Sequence, residues 1–428
     1  MRELLLPPCP PGWPAIPADT LSMFRHHPPD GPPYRSLAAH LLSVISLGLA
    51  ISLPVVAAPR TPTADTLVLD RVPARAADSR VRDLQALRAA WRAAPRDVDL
   101  AVRLARRYVE QAAAEGDPRY IGYAQAALMP WWTEAAPPVA VRVQRAVLHQ
   151  YGHQFSEALA DLDAAVLAEP SNAEAWSWQA AIHMVRADYA AATRACTALA
   201  PLTSALLAIA CQAAADSLTG KAGAAARDLT AALAAAPLAG PEERLWALTR
   251  LAEIAERRGD AVLAERAFRQ ALALGLDDVY LQAAYADFLL DRGRIADVLT
   301  LLKDGARADV LLLRLALAAK TAGDARADGW ARDLAARFAA ARARGDTTHE
   351  KEEARFVMAL QGDAGRALAL AQSNFAVQRE PADARILMEA ALAARQPKAA
   401  GPALDWLQRH RVESVVLQSL STQLGAAR

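Results

Sequence analysis

Apolar residues recur at helical spacing from residue 79 onward, in short segments that each end at Pro or Gly. In the clearest segments a turn residue is followed five positions later by Ala and four positions after that by a bulkier residue. Residues three and four apart are neighbours on a helix, so both side chains lie on one face. The clearest segments are 153–170, 187–199, 220–237 and 259–275. The pattern predicts a series of short amphipathic helices separated by tight turns.

The turn residues themselves recur at a nearly constant interval. They are His153, Ala187, Gly220, Gly259, Gly293, Gly323, Gly362 and Arg395, and their successive spacings are 34, 33, 39, 34, 30, 39 and 33. This spacing resembles the tetratricopeptide repeat (TPR), whose unit is an antiparallel helix pair of about 34 residues. The resemblance covers about residues 79–411 and is weaker at 303–350. It implies an all-α solenoid in the form of a right-handed superhelix, with single helices at 79–95 and 412–424 capping its ends.

The repeat also implies how neighbouring helices pack. A small residue in each helix allows close approach, and a bulkier residue fills the gap between units. The small residues are Ala146, Ala158, Ala180, Ala192, Ala213, Ala225, Ala252, Ala264, Ala286 and Ala367. The bulkier residues are Leu162, Cys196, Leu229 and Phe268. Another α-solenoid, such as a HEAT-like array, is the alternative architecture.

The segment 116–132, GDPRYIGYAQAALMPWW, carries four aromatic residues in a chain that contains only 6% of them. They are Tyr120, Tyr123, Trp131 and Trp132. In the repeat register this segment is a second helix, paired with 98–114, and Ala124 and Leu128 take the small and bulky positions. We therefore expect a reinforced joint between units, with a ligand-stacking site as the alternative.

The first 78 residues have a different composition. Residues 1–36 form a Pro-rich extension, of which 1–22 is interpreted as an over-called start because Met23 lies nearer the apolar segment. Residues 37–58 are apolar apart from His40 and three Ser residues, follow Arg35 and end in small residues, which is typical of a signal peptide with cleavage near Ala58. An uncleaved membrane anchor at Leu37–Leu53 is the alternative, since about 20 apolar residues can span a bilayer. Residues 59–78 are expected to be a flexible tether, and 79–428 the solenoid.

The charge distribution argues against nucleic acid as a partner. Lys and Arg total 48, Asp and Glu total 47, and both signs are interleaved without a basic stripe. The bias towards Ala and Arg suggests a GC-rich genome, which together with the signal segment suggests a bacterial, exported protein. Removal of the signal would leave Cys196 and Cys211, an even pair that suits an oxidising compartment. Both lie on apolar helix faces, so we expect two separate buried thiols rather than a disulfide.

No motif for catalysis, cofactor or metal binding is evident. The chain has no P-loop, no G-x-S-x-G, no C-x-x-C and no H-E-x-x-H. His149 and His153 are four apart, but a helix end is expected between them, so we interpret them as structural contacts rather than metal ligands. His349 and Glu350 resemble half of a zincin motif, although a charged first helical turn explains them better. We expect a non-enzymatic protein with no cofactor and no metal.

In TPR arrays, the first helix of each pair lines a concave groove where partners bind as extended peptides or helices. Applied to this register, the resemblance nominates Tyr151, Glu174, Ser177, Met184, Trp246, Thr249, Glu253, Tyr280 and Asp287. Aromatic anchors beside carboxylates suit a partner segment with apolar and basic residues. Packing between units is the alternative role of each residue.

The expected function is a scaffold or adaptor that binds a protein or peptide partner in the periplasm of a bacterium. The alternative is an assembly factor anchored in the inner membrane through Leu37–Leu53, which would hold an envelope enzyme or complex at the bilayer. A third reading, an enzyme with its site inside the superhelix, would require titratable groups clustered in the groove.

Overall fold

The computed structural model describes residues 79–115 and 117–427, and within them it contains α-helices and no strands. The helices α1 to α20 are, in order, Ser79–Ala93, Val98–Glu115, Arg119–Leu128, Val139–Tyr151, Phe155–Ala168, Ala173–Val185, Tyr189–Leu199, Ala205–Asp216, Ala222–Ala235, Pro241–Arg257, Ala261–Leu272, Val279–Leu290, Ile295–Leu301, Asp309–Ala322, Ala327–Ala343, Glu350–Phe356, Ala364–Val377, Pro381–Ala393, Gly401–His410 and Val415–Ala426. In the described part of the chain, α2 to α19 form nine successive antiparallel pairs, and α1 and α20 stand singly at the ends. The all-α solenoid of helix pairs with terminal single helices is therefore confirmed.

The helix ends follow from local sequence. The side chains of Asn172, Asp188, Ser204, Asp260 and Asp278 each accept a backbone N–H of the helix that they precede. Such caps satisfy donors that have no partner within the first helical turn.

All eight turn residues expected from the repeat have a positive φ. Five of them are Gly, but His153, Ala187 and Arg395 adopt the same backbone with φ of 59°, 61° and 56°. A side chain makes this conformation unfavourable by roughly 1–2 kcal/mol. Packing of the helices on either side must therefore hold these three turns in place.

The contacts between successive units are as close as the repeat implies. Each of the small residues is at most 3% exposed, and each of the four bulkier residues is at most 1% exposed. The aromatic-rich segment follows the same rule, because Ala124 and Leu128 are fully buried. Trp131 is also buried, and its carbonyl accepts a hydrogen bond from Arg145 in the next unit. The segment is a joint between units, as expected.

Cys196 and Cys211 are joined by a disulfide, with Cα atoms 5.6 Å apart. The expectation of two separate thiols was wrong. Cys196 does fill the bulky position of α7, but α8 runs alongside and brings the second sulfur to the same place. The bond therefore links two neighbouring helix pairs.

The last helices return to pack against the turns of much earlier units. We call this contact the closing seam and define it by ten residues. Its early side is His153, Val185, Tyr189, Gly220 and Gly259, and its late side is Gln378, Arg379, Trp406, Arg411 and Val415.

Backbone, polar and aromatic contacts all contribute to the closing seam. The Arg379 amide donates to the Val185 carbonyl at 2.9 Å, and Trp406 Nε1 donates to Tyr189 Oη at 3.1 Å. A Cβ placed on Gly259 would lie 3.2 Å from Val415 Cγ1. The superhelix is thus closed on itself from the second pair to the last helix.

None of the helices in residues 79–115 and 117–427 is long and apolar enough to cross a membrane. The expected signal or anchor segment at 37–58 and the tether at 59–78 lie outside the described residues.

Candidate binding chamber

The closed superhelix surrounds a chamber of about 290 Å³ on its concave side. The helices that line it are α6, α8, α10, α12, α14, α16 and α18, which are the first helices of their pairs, together with the terminal helix α20. Met184, Trp246, Ile254 and Leu417 form apolar parts of the wall. Charged side chains form much of the rest of the wall, so the chamber combines hydrocarbon surface with ionic groups in a partly buried space.

One face of α10 supplies the centre of the wall. Trp246, Arg250, Glu253 and Arg257 line the chamber at spacings of three and four residues, which keeps them on one side of the helix. The hydroxyl of Thr249 instead donates to the Leu245 carbonyl at 2.8 Å within the same helix.

Arg250, Glu253 and Tyr280 form one interacting group. Arg250 Nη2 donates to Glu253 at 3.0 Å, and the Tyr280 hydroxyl makes a short hydrogen bond to the same carboxylate. The Arg250 guanidinium also lies 5.1 Å from the centre of the Tyr280 ring. Burial raises the pKa of Glu253, and Arg250 opposes that effect.

Asp287 is held by two arginines from other units. Arg314 donates to it through Nε at 3.1 Å and Nη2 at 2.5 Å, and Arg355 donates through Nη1 at 2.6 Å. Burial alone would raise the pKa of Asp287, but the two guanidiniums outweigh burial and lower it. The carboxylate is therefore ionised and already neutralised.

Arg385 completes the pairing across the chamber. It donates to Asp291 at 2.6 and 2.8 Å and to Glu389 at 2.7 Å. The contact joins α18 to the end of α12, which are separated by about 90 residues in sequence, and it reinforces closure of the superhelix.

Glu256 and Arg257 differ from these groups. Burial, with nearby acidic side chains adding to it, raises the pKa of Glu256 to about 8, so its carboxyl group is mainly protonated at pH 7. Arg257 donates one hydrogen bond, from Nη2 to Ser217 Oγ at 2.7 Å. Its Nε is buried without a hydrogen-bond partner in the described chain.

The structure brings five of the nine groove residues expected from the sequence to the chamber. They are Met184, Trp246, Glu253, Tyr280 and Asp287. The half-buried Tyr151 and Ser177 do not line it. Glu174 is bound by Arg106 at 2.6 Å and by Gln144 at 2.9 Å, outside the chamber. Thr249 is fully buried and faces the packed side of its helix.

The basic residues of the wall were not expected from the sequence. They are Arg250, Arg257, Arg314, Lys351, Arg355 and Arg385. For the α10 residues a signal existed, since Arg250 and Arg257 share the helical face of Trp246 and Glu253. The others lie on α14, α16 and α18, which are also first helices of their pairs.

The two histidines considered as metal ligands have separate partners. His149 Nδ1 lies 2.7 Å from Gln154 Oε1, and His153 Nε2 lies 2.8 Å from Gln378 Nε2. Among the described side chains, no group of three or more His, Cys, Asp or Glu residues is arranged to hold a metal ion. Glu350 begins α16, in the charged first turn that the sequence indicated.

The sequence matches no protein-family model, and no curated protein matches it. Among solved structures, a tetratricopeptide repeat protein from Parabacteroides merdae ATCC 43184 is similar at 14% identity and a TM-score of 0.34, covering 67% of this chain and 98% of that one. The human IFIT1 dimer with PPP-AAAA is similar at 14% identity and a TM-score of 0.42, covering 81% and 87%.

The APC/C heterotetramer Cut9-Hcn1 is similar at 12% identity and a TM-score of 0.39. The match covers 81% of this chain and about half, 52%, of the Cut9-Hcn1 chain. Each likeness concerns the TPR-like fold alone.

Proposed function

We propose that the protein is a non-enzymatic scaffold or adaptor that binds a segment of a partner protein on its concave side. The observation that supports this most is the chamber, where Trp246 and Tyr280 stand beside ion-paired side chains on rigid first helices. A site built on packed helices needs little ordering when a partner binds, which favours affinity. Large aromatic side chains in a partly buried pocket are the residue type that most often dominates binding energy.

The proposed location is the periplasm of a bacterium. Two features support it: the signal-like layout of residues 37–58 and the disulfide between Cys196 and Cys211. Disulfides persist in exported proteins and are rare in the reducing cytosol. Cleavage near Ala58 would release the solenoid in soluble form.

The second candidate is a membrane-anchored assembly factor that holds an envelope enzyme or complex at the bilayer. It is favoured by the apolar segment Leu37–Leu53, which is nearly long enough to span the hydrocarbon core if it remains uncleaved. Cell fractionation with an intact-mass measurement separates the two candidates. A mature chain that starts near Pro59 excludes the anchor, whereas a full-length chain in the membrane fraction excludes the soluble form.

The binding role is tested by crosslinking capture with the double variant Trp246→Ala and Tyr280→Ala. Partners that dock in the chamber should be lost from the double variant. The matched control is Tyr123→Ala, which removes an aromatic ring that is 49% exposed on a second helix away from the chamber. If the double variant and the control capture the same partners as the parent protein, the chamber is not the binding site.

A further inference from the structure

Most of the charged groups of the chamber neutralise one another. Glu253 is paired with Arg250, Asp287 with Arg314 and Arg355, and Asp291 and Glu389 with Arg385. Glu352 lies 3.7 Å from the Lys351 ammonium. Glu380 takes part in the capping box of α18 with Asp383. The carboxylates nominated from sequence are therefore occupied, and they offer no free negative charge to a basic partner.

Among the basic residues that line the chamber, Arg257 is the one without an ion pair in the described part of the chain. A guanidinium has five N–H donors, and in Arg257 one of them is engaged, by Ser217 Oγ. No carboxylate of the described chain forms an ion pair with it. Glu253 lies one turn earlier on α10, but Arg250 and Tyr280 occupy its oxygens. Glu256 is adjacent in sequence, but its raised pKa leaves it mainly protonated at pH 7.

The environment makes this unpaired charge costly. Arg257 Nε is buried without a hydrogen-bond partner, and burial lowers the pKa of the guanidinium despite the attraction of Glu253. On the opposite wall, Oε2 of Glu380 is also buried without a partner, and burial raises the pKa of that carboxyl group. Arg257 is only partly exposed and has no paired anion in the described chain, so an anionic group that enters the chamber has a free donor to bind.

We propose that Arg257 forms a carboxylate-binding subsite that takes a carboxylate carried on an apolar stem. Ser217, whose hydroxyl donates to the Ala214 carbonyl at 2.8 Å and accepts from Arg257, holds the guanidinium in position. The guanidinium fork matches the geometry of a carboxylate. Met184, Trp246 and Leu417 line the same chamber and provide surface for the stem. This chemistry is found in a glutamate side chain of a partner segment and in a small free carboxylic acid.

This inference rests on the proposed function, because the partner segment would reach the same chamber. It changes the expected chemistry of that segment from basic to acidic. A glutamate presented by a partner would place its carboxylate at Arg257, while the flanking residues contact the mouth of the chamber. The volume of about 290 Å³ suits a side chain or a small molecule better than a whole helix.

The test is calorimetric titration of the full chain at low ionic strength with two probes. One is butyrate, and the other is a capped peptide of Ala and Leu with one central glutamate. The same peptide with glutamine is the matched ligand control. The glutamate peptide should bind at least roughly tenfold more tightly than the glutamine peptide, because hydrogen bonds to charged groups contribute enough free energy for such a factor. Binding of butyrate as well would assign the subsite to free carboxylic acids, and binding of the peptide alone to partner segments.

Two variants locate the subsite. Arg257→Gln should weaken binding of the responsive probe by roughly 10- to 100-fold. Arg258→Gln removes the same charge from the next residue, which is exposed, and should change binding less than about twofold. Circular dichroism of both variants checks that the helices remain intact. The proposal is overturned if neither probe binds, if the glutamine peptide binds as tightly as the glutamate peptide, or if Arg257→Gln binds like the parent.

The outcomes also separate this inference from the proposed function. If no carboxylate binds but the Trp246→Ala and Tyr280→Ala double variant loses its captured partners, the subsite is wrong and the scaffold role stands. If a carboxylate binds through Arg257 and the double variant captures the same partners as the parent, the subsite stands and the scaffold role in this chamber fails.

Discussion

The joints between successive units and the closing seam between distant units are built in different ways. A joint repeats one arrangement, in which an Ala and a bulkier apolar residue are almost fully buried, as in the units of Leu162, Cys196, Leu229 and Phe268. The closing seam instead combines contacts of different kinds: a backbone hydrogen bond, a Tyr–Trp hydrogen bond, a His–Gln contact and two close approaches at Gly. Apolar burial thus sustains the solenoid along its length, and individual contacts determine whether it closes around a chamber.

The largest effect should come from emptying a joint. Phe268 is fully buried and packs against Tyr285 and Phe288 at ring-centre distances of 5.3 and 5.6 Å. Phe268→Ala should lower the free energy of unfolding by about 3–5 kcal/mol, because it leaves a cavity that the helices cannot fill. Denaturant unfolding followed by circular dichroism measures the loss.

The control for this joint is Val262→Ala on the same helix, where the side chain is 78% exposed. It should change the unfolding free energy by less than about 0.5 kcal/mol. Equal effects of the two substitutions would mean that the repeat register assigned to α11 is wrong.

The disulfide strengthens one joint beyond the others. Replacing Cys196 and Cys211 together by Ser should lower the unfolding free energy by about 3 kcal/mol, since a closed loop of about 15 residues no longer restricts the unfolded chain. Denaturation of the parent with a reductant should reproduce most of this loss. A parent protein that is insensitive to reductant would contradict the disulfide.

The closing seam should respond to acid more than the joints do. Burial lowers the pKa of His153 to about 4, whereas an unfolded His titrates near 6.5. Between these two pKa values the opened or unfolded state binds more protons than the closed state. The stability that neutral His153 gives the closing seam is therefore complete above about pH 6.5 and falls as the pH decreases towards 4. For this single group, the stabilising free energy changes by at most about 1.4 kcal/mol per pH unit.

Hydrogen exchange of the contact between His153 and Gln378 at several pH values measures this effect. In His153→Gln the pH dependence at this contact should largely disappear. His410 remains in both proteins and its pKa is also lowered by burial, so the difference between them reports on His153. A variant with the same pH dependence as the parent would show that His153 does not titrate in the closing seam.

The smallest effect should come from one hydrogen bond of the closing seam. Tyr189→Phe removes the acceptor for Trp406 Nε1 and should destabilise the closing seam by about 1 kcal/mol. Hydrogen exchange should become faster in α18 to α20.

The matched variant is Tyr285→Phe, whose hydroxyl donates to Glu265 at 3.2 Å within a joint. Its effect should stay local to α11 and α12. If Tyr189→Phe changed exchange only in its own unit, the closing seam would not couple the two ends of the solenoid.

The sequence was informative about features that repeat. The turns, the small and bulky positions and the first-helix lining of the concave side all recur every 30 to 39 residues, and Trp246, Glu253 and Tyr280, nominated from that register, lie on the chamber wall. Periodicity also identified the segment 116–132 as a joint, because Ala124 and Leu128 fall at its packing positions.

The features that the sequence did not disclose are those that occur once. Closure depends on the small rotation between units added over the whole array, so no local pattern places Tyr189 beside Trp406. The disulfide joins a repeat position, Cys196, to a residue of the next unit. That Arg257 lacks an ion pair is visible only in the folded chamber, where Arg314, Arg355 and Arg385 neutralise acids from other helices.

Closure of the superhelix is tested most directly by a crosslink across the closing seam, made in a chain that also carries Cys9→Ser. A Cβ on Gly259 would lie 4.0 Å from Val415 Cβ, within the range that a disulfide spans. The control pairs Val415→Cys with Gly293→Cys, because Gly293 has a similar positive φ and no atom within 4 Å of its Cβ position. Under mild oxidation and intact-mass analysis, Gly259→Cys with Val415→Cys should form an additional disulfide, and the control should not. Failure of the first pair to crosslink, or equal crosslinking of both pairs, would contradict a superhelix that closes around a chamber.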